Sequence, residues 1–408
     1  MADDLGIPAG VDRRRFLKLA ATVAAATGLS PAALPGAGGL AAHTGASAAR
    51  SNAGSSGAVR RQEPLGNGEP PAYTFQAWPG GTGDLMQRMF EQYGAAMFER
   101  TQMTVEPWSG PVPSTEEEIA FLPVHRLAAL IRQGLISPTD LTEIYLERIQ
   151  RYDPVLLCAV SILPDRAREE AQQAERDLRN DGWRGPLHGI PYGVKDLFAV
   201  RGTRTTWGSD DFRDQVLDFD SEVVVRLREA GAILIAKLAT GEFARGDRWY
   251  RGRTLNPWNL EQGSSGSSAG PGSATAAGCV AFGIGTETQG SIVSPARRNG
   301  LSALRPTFGR VSRHGGMVLS WSMDKVGPMC RSIEDCAIVF NEIHGADEKD
   351  PGTVTTPFTF DRDLDLSALS IGFDEQAPES FVNTLRDLGA TPRPVGEVPG
   401  GGSNALGI

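Results

Sequence analysis

Apolar segments of two different periodicities alternate through the middle of the chain. Residues 124–135 place apolar side chains at helical spacing, and a second helix is predicted to begin at Ser137, where a capping serine precedes a proline. Residues 232–236 form a continuous apolar run, which is typical of a strand buried on both faces. Strands of this kind between amphipathic helices predict an α/β fold with helices above and below a sheet.

The same patterns predict the remaining elements. Helices are expected at residues 83–100, 165–180, 222–229, 333–343 and 381–388. Strands are expected at residues 158–163, 190–198, 280–284 and 369–373, whereas residues 259–263 make a poor strand sequence. We interpret residues 74–118 as an N-terminal extension and residues 119–408 as the main domain.

The first residues are predicted to be an export signal. The run Asp12-Arg13-Arg14-Arg15-Phe16-Leu17-Lys18 matches the twin-arginine pattern, and the apolar stretch after it is too short to span a bilayer. With a small-residue cleavage site at Ala46-Ser47-Ala48, residues 1–48 are interpreted as a twin-arginine signal peptide and residues 49–73 as a disordered linker. We expect the twin-arginine export machinery as a partner and a periplasmic or secreted product.

Charge and cysteine spacing argue against a nucleic-acid partner and against a metal site. The chain has 408 residues and a net charge of −9, which argues against a nucleic-acid partner because such a surface needs a basic face. Its four cysteines have neither Cys-x-x-Cys spacing nor nearby histidines: Cys158, Cys279, Cys330 and Cys336. We therefore expect no metal and no cofactor, and we expect the thiols to be buried and free.

Serine-rich loops dominate residues 262–295. One Ser/Gly loop spans residues 263–268, and a second, residues 285–291, has consecutive backbone N–H groups that can surround an oxyanion beside Ser291. Upstream, Lys195 lies in an otherwise apolar strand. Such a lysine either reaches for water at an edge, which is the commoner case, or is buried with a lowered pKa and acts as a general base.

Taken together, these pieces resemble the amidase signature family. The shared motifs are GIPYGVKD at residues 189–196, a Ser/Gly motif within GSSGSSAG at 263–270, GTETQGSI at 285–292 and ALRPT at 303–307. The resemblance implies a large mixed β-sheet core covered by helices on both faces. It also implies that residues 119–408 form an amidase domain whose C-terminal part is incomplete, since family members usually continue well beyond this point.

The resemblance implies a Ser–cis-Ser–Lys triad of Ser291, Ser267 and Lys195. In the family the bridging serine lies 24 residues before the nucleophile, which selects Ser267 over Ser264 and Ser265. Ser291 would attack a small-molecule amide, Ser267 would relay its proton to neutral Lys195, and water would hydrolyse the acyl-enzyme. The family also implies an oxyanion hole and a supporting hydroxyl: the backbone amides of Thr288, Gln289, Gly290 and Ser291, and the side chain of Ser268.

Four positions depart from the family pattern without removing a triad group: Ala269, Glu287, Gln289 and Val293. Alanine and glutamine replace glycines, glutamate replaces aspartate, and valine stands where many members have an arginine. An arginine that grips an acidic substrate is therefore absent at position 293. Either Arg297 or Arg298 takes that role, or the substrate is neutral.

Several alternative interpretations stay open. GSSAG at residues 266–270 matches the nucleophile-elbow pattern around Ser268, but that motif needs a preceding strand and a later acid and histidine, and only His314 and His344 follow. Ser322 and Lys325 match Ser-x-x-Lys, although no Lys-Thr-Gly comes after them. Within the family, the export signal argues against the glutaminase subunit of a transfer-RNA-dependent amidotransferase. The non-enzyme alternative is a catalytically impaired, amide-binding homologue, and a homodimer is left open.

Overall fold

The computed structural model describes residues 83–180 and 182–396. These residues belong to two compact units, one ending at Phe360 and one beginning at Asp361. The predicted signal peptide, the predicted linker and residues 74–82 of the N-terminal extension lie outside the described residues. Within the described ranges, no helix combines the length and the apolar character that crossing a bilayer requires.

The larger unit contains most of the helices and strands. Its helices are α1 (Gly83–Tyr93), α2 (Glu116–Ala120), α3 (Val124–Arg132), α4 (Pro138–Leu156), α5 (Pro164–Arg179), α6 (Glu222–Glu229), α7 (Ala269–Ala276), α8 (Val293–Asn299) and α9 (Ile333–Ile343). Its strands are β1 (Ala159–Ile162), β2 (Pro191–Lys195), β3 (Ile233–Leu238), β4 (Arg248–Trp249), β5 (Gly252–Arg253), β6 (Leu255–Asn256), β7 (Asn259–Gly263), β8 (Phe282–Glu287), β9 (Ser302–Ala303) and β10 (Lys325–Cys330). The smaller unit contains β11 (Gly372–Phe373), α10 (Glu379–Asp387) and β12 (Arg393–Pro394).

Six strands form the central sheet in the order β1-β3-β2-β8-β10-β9. Strand β2 pairs in parallel with both β3 and β8, whereas the outer pairings to β1, β10 and β9 are antiparallel. Every residue of β2 and β3 is buried, so the centre of the sheet is covered on both faces. This arrangement confirms the predicted α/β fold with a mixed sheet.

The strands expected at residues 190–198, 280–284 and 369–373 are present with different bounds, as β2, β8 and β11, and two further predictions are wrong in kind. The single helix expected at residues 83–100 is wrong: α1 ends at Tyr93, Gly94 has a φ of 76°, and a 3₁₀ turn follows at Ala95–Phe98. Residues 259–263, judged a poor strand, form β7, which pairs with β6 in a two-stranded ribbon. The first four side chains of β7 are exposed, which explains why its polar sequence lacks the apolar pattern of a core strand.

The four cysteines behave as the sequence indicated. All of them are buried and unbridged. Cys158 and Cys330 have no exposed surface, and burial raises the pKa of both thiols well above the usual value. Such thiols are poor nucleophiles, so the cysteines serve as small core side chains.

Candidate active site

Lys195, the last residue of β2, lies at the centre of the sheet and is completely buried. Its Nζ is 2.8 Å from Ser267 Oγ, 3.1 Å from Ser268 Oγ and 2.8 Å from Thr286 Oγ1. Three hydroxyl groups thus replace the water molecules that hydrate an exposed lysine amine. Of the two interpretations of this residue, the edge lysine is wrong and the buried amine is correct.

Burial lowers the pKa of Lys195 from 10.5 to about 7, while the carboxylates of Asp324 and Glu287 act in the opposite direction. The amine is therefore partly neutral at neutral pH. An ammonium donates to all three hydroxyls, whereas a neutral amine donates two hydrogens and accepts one. In the neutral state, one of the three hydroxyls must therefore donate its proton to Lys195.

The two adjacent serines play different parts around the lysine. Ser268 Oγ donates to the carbonyl of Thr286 at 3.1 Å and accepts from the amide of the same residue at 3.2 Å. Because its proton is committed to that carbonyl, Ser268 suits a supporting role. Ser267 is also buried and follows a cis peptide bond from Gly266. The hydroxyl that can donate to neutral Lys195 is then that of Ser267 or Thr286.

The Ser/Gly loop reaches Lys195 because small residues let it approach the sheet. A Cβ at Gly285 would lie 2.7 Å from Ser268 Oγ, so glycine is required there. The other two serines of the loop bond elsewhere: Ser264 Oγ donates to the carbonyl of Ala269 at 3.1 Å, and Ser265 Oγ lies 2.7 Å from Ser294 Oγ. Their hydroxyls hold the loop and the start of α8 in place.

The loop after β8 brings Ser291 beside Ser268. The amide of Ser268 donates to the carbonyl of Ser291 at 3.1 Å. The loop is closed by Glu287, a buried carboxylate that accepts from the amides of Ile292 at 2.8 Å and Val293 at 2.9 Å. Burial works to raise the pKa of Glu287, but hydrogen bonds from these amides lower it overall. Glutamate at this position therefore keeps a charged anchor where the family has aspartate.

The remaining oxyanion-hole candidates occupy the turn between Glu287 and Ser291. Thr288 is half-buried and its hydroxyl donates to Asp324. Gly290 has a φ of 100°, which favours glycine, whereas Gln289 is exposed and has no positive φ. The substitution at position 289 is thus free of the backbone strain that the same change at position 290 would bring.

Sequence reasoning missed two features of the site. Thr286 contributes one of the three hydroxyls at Lys195; it lies within the GTETQGSI motif, but its contact with Lys195 is evident only once β8 is known to lie beside β2. Asp196 forms a buried ion pair with Lys237, with Nζ 2.7 Å from Oδ1 and both side chains fully buried. A second lysine within the apolar run of β3 is the sequence hint of this contact.

The structure also separates the alternative motifs. A strand, β7, does precede the GSSAG motif, contrary to expectation, but Ser268 is fully buried and its hydroxyl is committed to Thr286 and Lys195. The ring of His314 lies against Phe219, and that of His344 stacks on Phe340. Neither histidine is placed to serve Ser268 as a base.

A mixed α/β sheet with a buried lysine bound by two hydroxyls of the Ser/Gly loop and one of strand β8 defines the class of this protein. The chain belongs to the amidase family, whose model, named Amidase, matches residues 140–387. It is 39% identical over 285 residues to a glutamyl-tRNA(Gln) amidotransferase subunit from Roseiflexus sp., covering 65% of this chain and 58% of that protein.

Comparison with solved structures also finds amidases. The peptide amidase of Stenotrophomonas maltophilia superposes with a TM-score of 0.61 at 35% identity, over 68% of this chain and 62% of that one. An amidase family protein from Bacillus anthracis superposes with a TM-score of 0.63 at 32% identity, over 70% and 62% of the two chains. The chain thus spans less than two thirds of the length of these relatives.

Proposed function

We propose that this chain is an amidase that hydrolyses the C–N bond of a small-molecule carboxamide through a serine acyl-enzyme. The observation that carries the proposal is the environment of Lys195: a buried amine with a pKa of about 7, hydrogen-bonded to Ser267. A lysine that is neutral at working pH can accept a proton, which a paired or exposed lysine cannot. Membership of the amidase family supports the same chemistry.

The proposed reaction uses the side chains of Ser291, Ser267 and Lys195. Ser291 Oγ attacks the carbonyl carbon, its proton passes to Ser267 Oγ, and the proton of Ser267 passes to Lys195 Nζ. Backbone amides of residues 288–291 stabilise the oxyanion. The C–N bond then breaks, and Lys195 returns the proton through Ser267 to the leaving nitrogen, releasing ammonia or an amine. Water repeats the relay on the ester and frees the carboxylic acid and Ser291.

Hydrolysis of a panel of aryl, alkyl and peptide amides tests the proposal. Lys195→Ala and Ser291→Ala should each lower kcat/KM by about 10³-fold or more, because each removes a member of one relay. Two variants serve as matched controls: Lys349→Ala removes an exposed lysine, and Ser322→Ala removes the serine of the Ser-x-x-Lys motif. Unchanged turnover in either triad variant contradicts the mechanism.

A serine-directed fluorophosphonate identifies the nucleophile independently of the natural substrate. We expect peptide mapping to place the label on Ser291 and expect Lys195→Ala to slow the labelling. A label on Ser268 or Ser322 would favour one of the alternative motifs instead. Binding of amides without turnover or labelling would favour the catalytically impaired homologue.

A second candidate is the glutaminase subunit of a transfer-RNA-dependent amidotransferase. Relatives that are 35–41% identical are named as subunits of glutamyl-tRNA(Gln) amidotransferases. L-Glutamine discriminates the two functions, because a glutaminase should release ammonia from it in preference to aryl and peptide amides. The predicted export signal keeps this candidate second, since transfer RNA is cytoplasmic.

Export and assembly also belong to the proposal. The twin-arginine run supports export to the periplasm or beyond, and Arg13→Lys combined with Arg14→Lys should retain the protein in the cytoplasm. Cell fractionation measures this, and equal export of the double variant would contradict it. The homodimer is tested by light scattering of the purified chain.

A further inference from the structure

Asp324, which directly precedes β10, and Lys325, its first residue, both bind Thr288, at the start of the loop that leads to Ser291. The Thr288 hydroxyl donates to Asp324 Oδ1, and Lys325 Nζ donates to the Thr288 carbonyl at 3.3 Å. In the β8–β10 pairing Lys325 lies opposite Glu287, so both contacts form where the two strands end. Side chain and backbone of Thr288 are thus fixed from the same neighbouring strand.

This double contact determines where the next amide points. In a trans peptide the carbonyl and the following N–H point in opposite directions. Since the Thr288 carbonyl faces Lys325 Nζ, the N–H of Gln289 points away from that amine. A donor that is fixed before the reaction stabilises an oxyanion without the cost of reorganisation.

Asp324 is itself held rigidly. Only 6% of its surface is exposed, and its second oxygen, Oδ2, accepts from the amides of Leu319 at 2.6 Å and Ser320 at 3.1 Å. A carboxylate with these three donors cannot rotate freely, so it transmits the position of the 319–324 turn to Thr288. The carboxylate of Asp324 therefore links the turn directly to Thr288.

The charge of Asp324 also acts on the lysine at the site. Asp324 and Glu287 are the two carboxylates that raise the pKa of Lys195 against the effect of burial. Glu287 lies on β8, and Arg305 offsets part of its charge at 3.1 Å. The carboxylate of Asp196, the residue after Lys195, forms an ion pair with Lys237 on β3.

We propose that Asp324 and Lys325 are positioning residues that aim the Gln289 amide at the oxyanion. The inference rests on the proposed amidase function. Neither residue touches the substrate in this scheme. Their effect is carried by the 288–289 peptide.

Three single variants separate geometry from charge. Thr288→Val, Lys325→Met and Asp324→Asn should each lower kcat by about 10- to 100-fold with KM changed by less than about threefold, because each releases the same peptide. Asp324→Asn alone should also move the acid limb of the kcat/KM profile to lower pH by about 0.5–1 pH unit, since neutral Lys195 is favoured when a nearby negative charge is removed. Thr288→Ser, which keeps the hydroxyl, should restore most of the activity.

The control is Asp218→Asn, which removes the same charge from a carboxylate that is 99% exposed and should leave rate and profile unchanged. Thermal melting shows which variants are folded. If one of the three single variants is unfolded, the kinetics of the other two test the inference. A wild-type chain that neither hydrolyses amides nor is labelled at Ser291 overturns the amidase function, and this inference with it. An active wild type whose folded variants match it in kcat overturns the inference alone.

Discussion

Replacing Lys195 with methionine should stabilise the protein at neutral pH and do so less as the pH rises. The lysine pKa falls from 10.5 to about 7 on folding, a difference of about 3.5 units. At about 1.4 kcal/mol per unit, keeping this amine buried costs the folded state up to about 5 kcal/mol at pH 7 or below. Methionine has a similar unbranched shape and has no proton to lose.

The sign of the pH dependence follows from proton binding. Between pH 7 and 10.5 the unfolded chain holds a proton on Lys195 that the folded chain has released. Wild-type stability therefore gains up to about 1.4 kcal/mol per pH unit from this group, and the Lys195→Met variant gains nothing there. The stability advantage of the variant should shrink by about 2–3 kcal/mol between pH 7.5 and pH 9.5.

Urea unfolding of both proteins at the two pH values measures this difference. Titrating groups that the two proteins share cancel in the difference between their unfolding free energies. The hydrogen bonds lost at Ser267, Ser268 and Thr286 change that difference by the same amount at pH 7.5 and at pH 9.5. Lys349→Met is the control, because hydrogen bonding to Glu222 raises the pKa of that exposed lysine and no change is expected below pH 9.5. Parallel stability curves for wild type and Lys195→Met would mean that Lys195 stays charged, and the general-base mechanism would then be untenable.

Two further substitutions test the supports of the site. Gly285→Ala would place a Cβ 2.7 Å from Ser268 Oγ, so we expect a loss of about 1–3 kcal/mol in unfolding free energy and at least about a tenfold loss in kcat. Gly396→Ala, at an open position, is its control, and equal kinetics in the two would refute the packing argument. Asp196→Asn leaves the buried Lys237 without its carboxylate and should cost about 3–5 kcal/mol in denaturant unfolding, whereas adding Lys237→Met should recover part of the loss.

Local patterns predicted the elements well where burial and periodicity coincide. The helices expected at residues 222–229 and 333–343 have the observed bounds of α6 and α9, because their apolar faces pack directly on the core. Strand β7 was misjudged for the opposite reason, since its side chains face solvent and its pairing is made by the backbone. Hydrophobic periodicity reflects which side chains are buried, so a strand outside the core shows little periodicity.

The site was predictable to the extent that it depends on motifs. The family resemblance selected Lys195, Ser267 and Ser268, whose hydrogen bonds the structure shows. Thr286 and Asp324 lie within segments that match the family, but the resemblance did not assign them a role, because their roles arise from the order of strands β2, β8 and β10 in the sheet. A contact between residues on neighbouring strands leaves no local pattern in the sequence, so it becomes evident only in the structure.

Two buried lysines on neighbouring strands show how the same residue type is given different chemistry. Lys195 and Lys237 are both completely buried, and burial lowers the pKa of both. Lys237 has a carboxylate 2.7 Å from Nζ, which raises its pKa again and favours the ammonium. Within the described residues the hydrogen-bond partners of Lys195 are three hydroxyls, which carry no charge and can accept from the ammonium or donate to the neutral amine. The partner set, more than the depth of burial, therefore makes Lys237 a structural cation and Lys195 a candidate base.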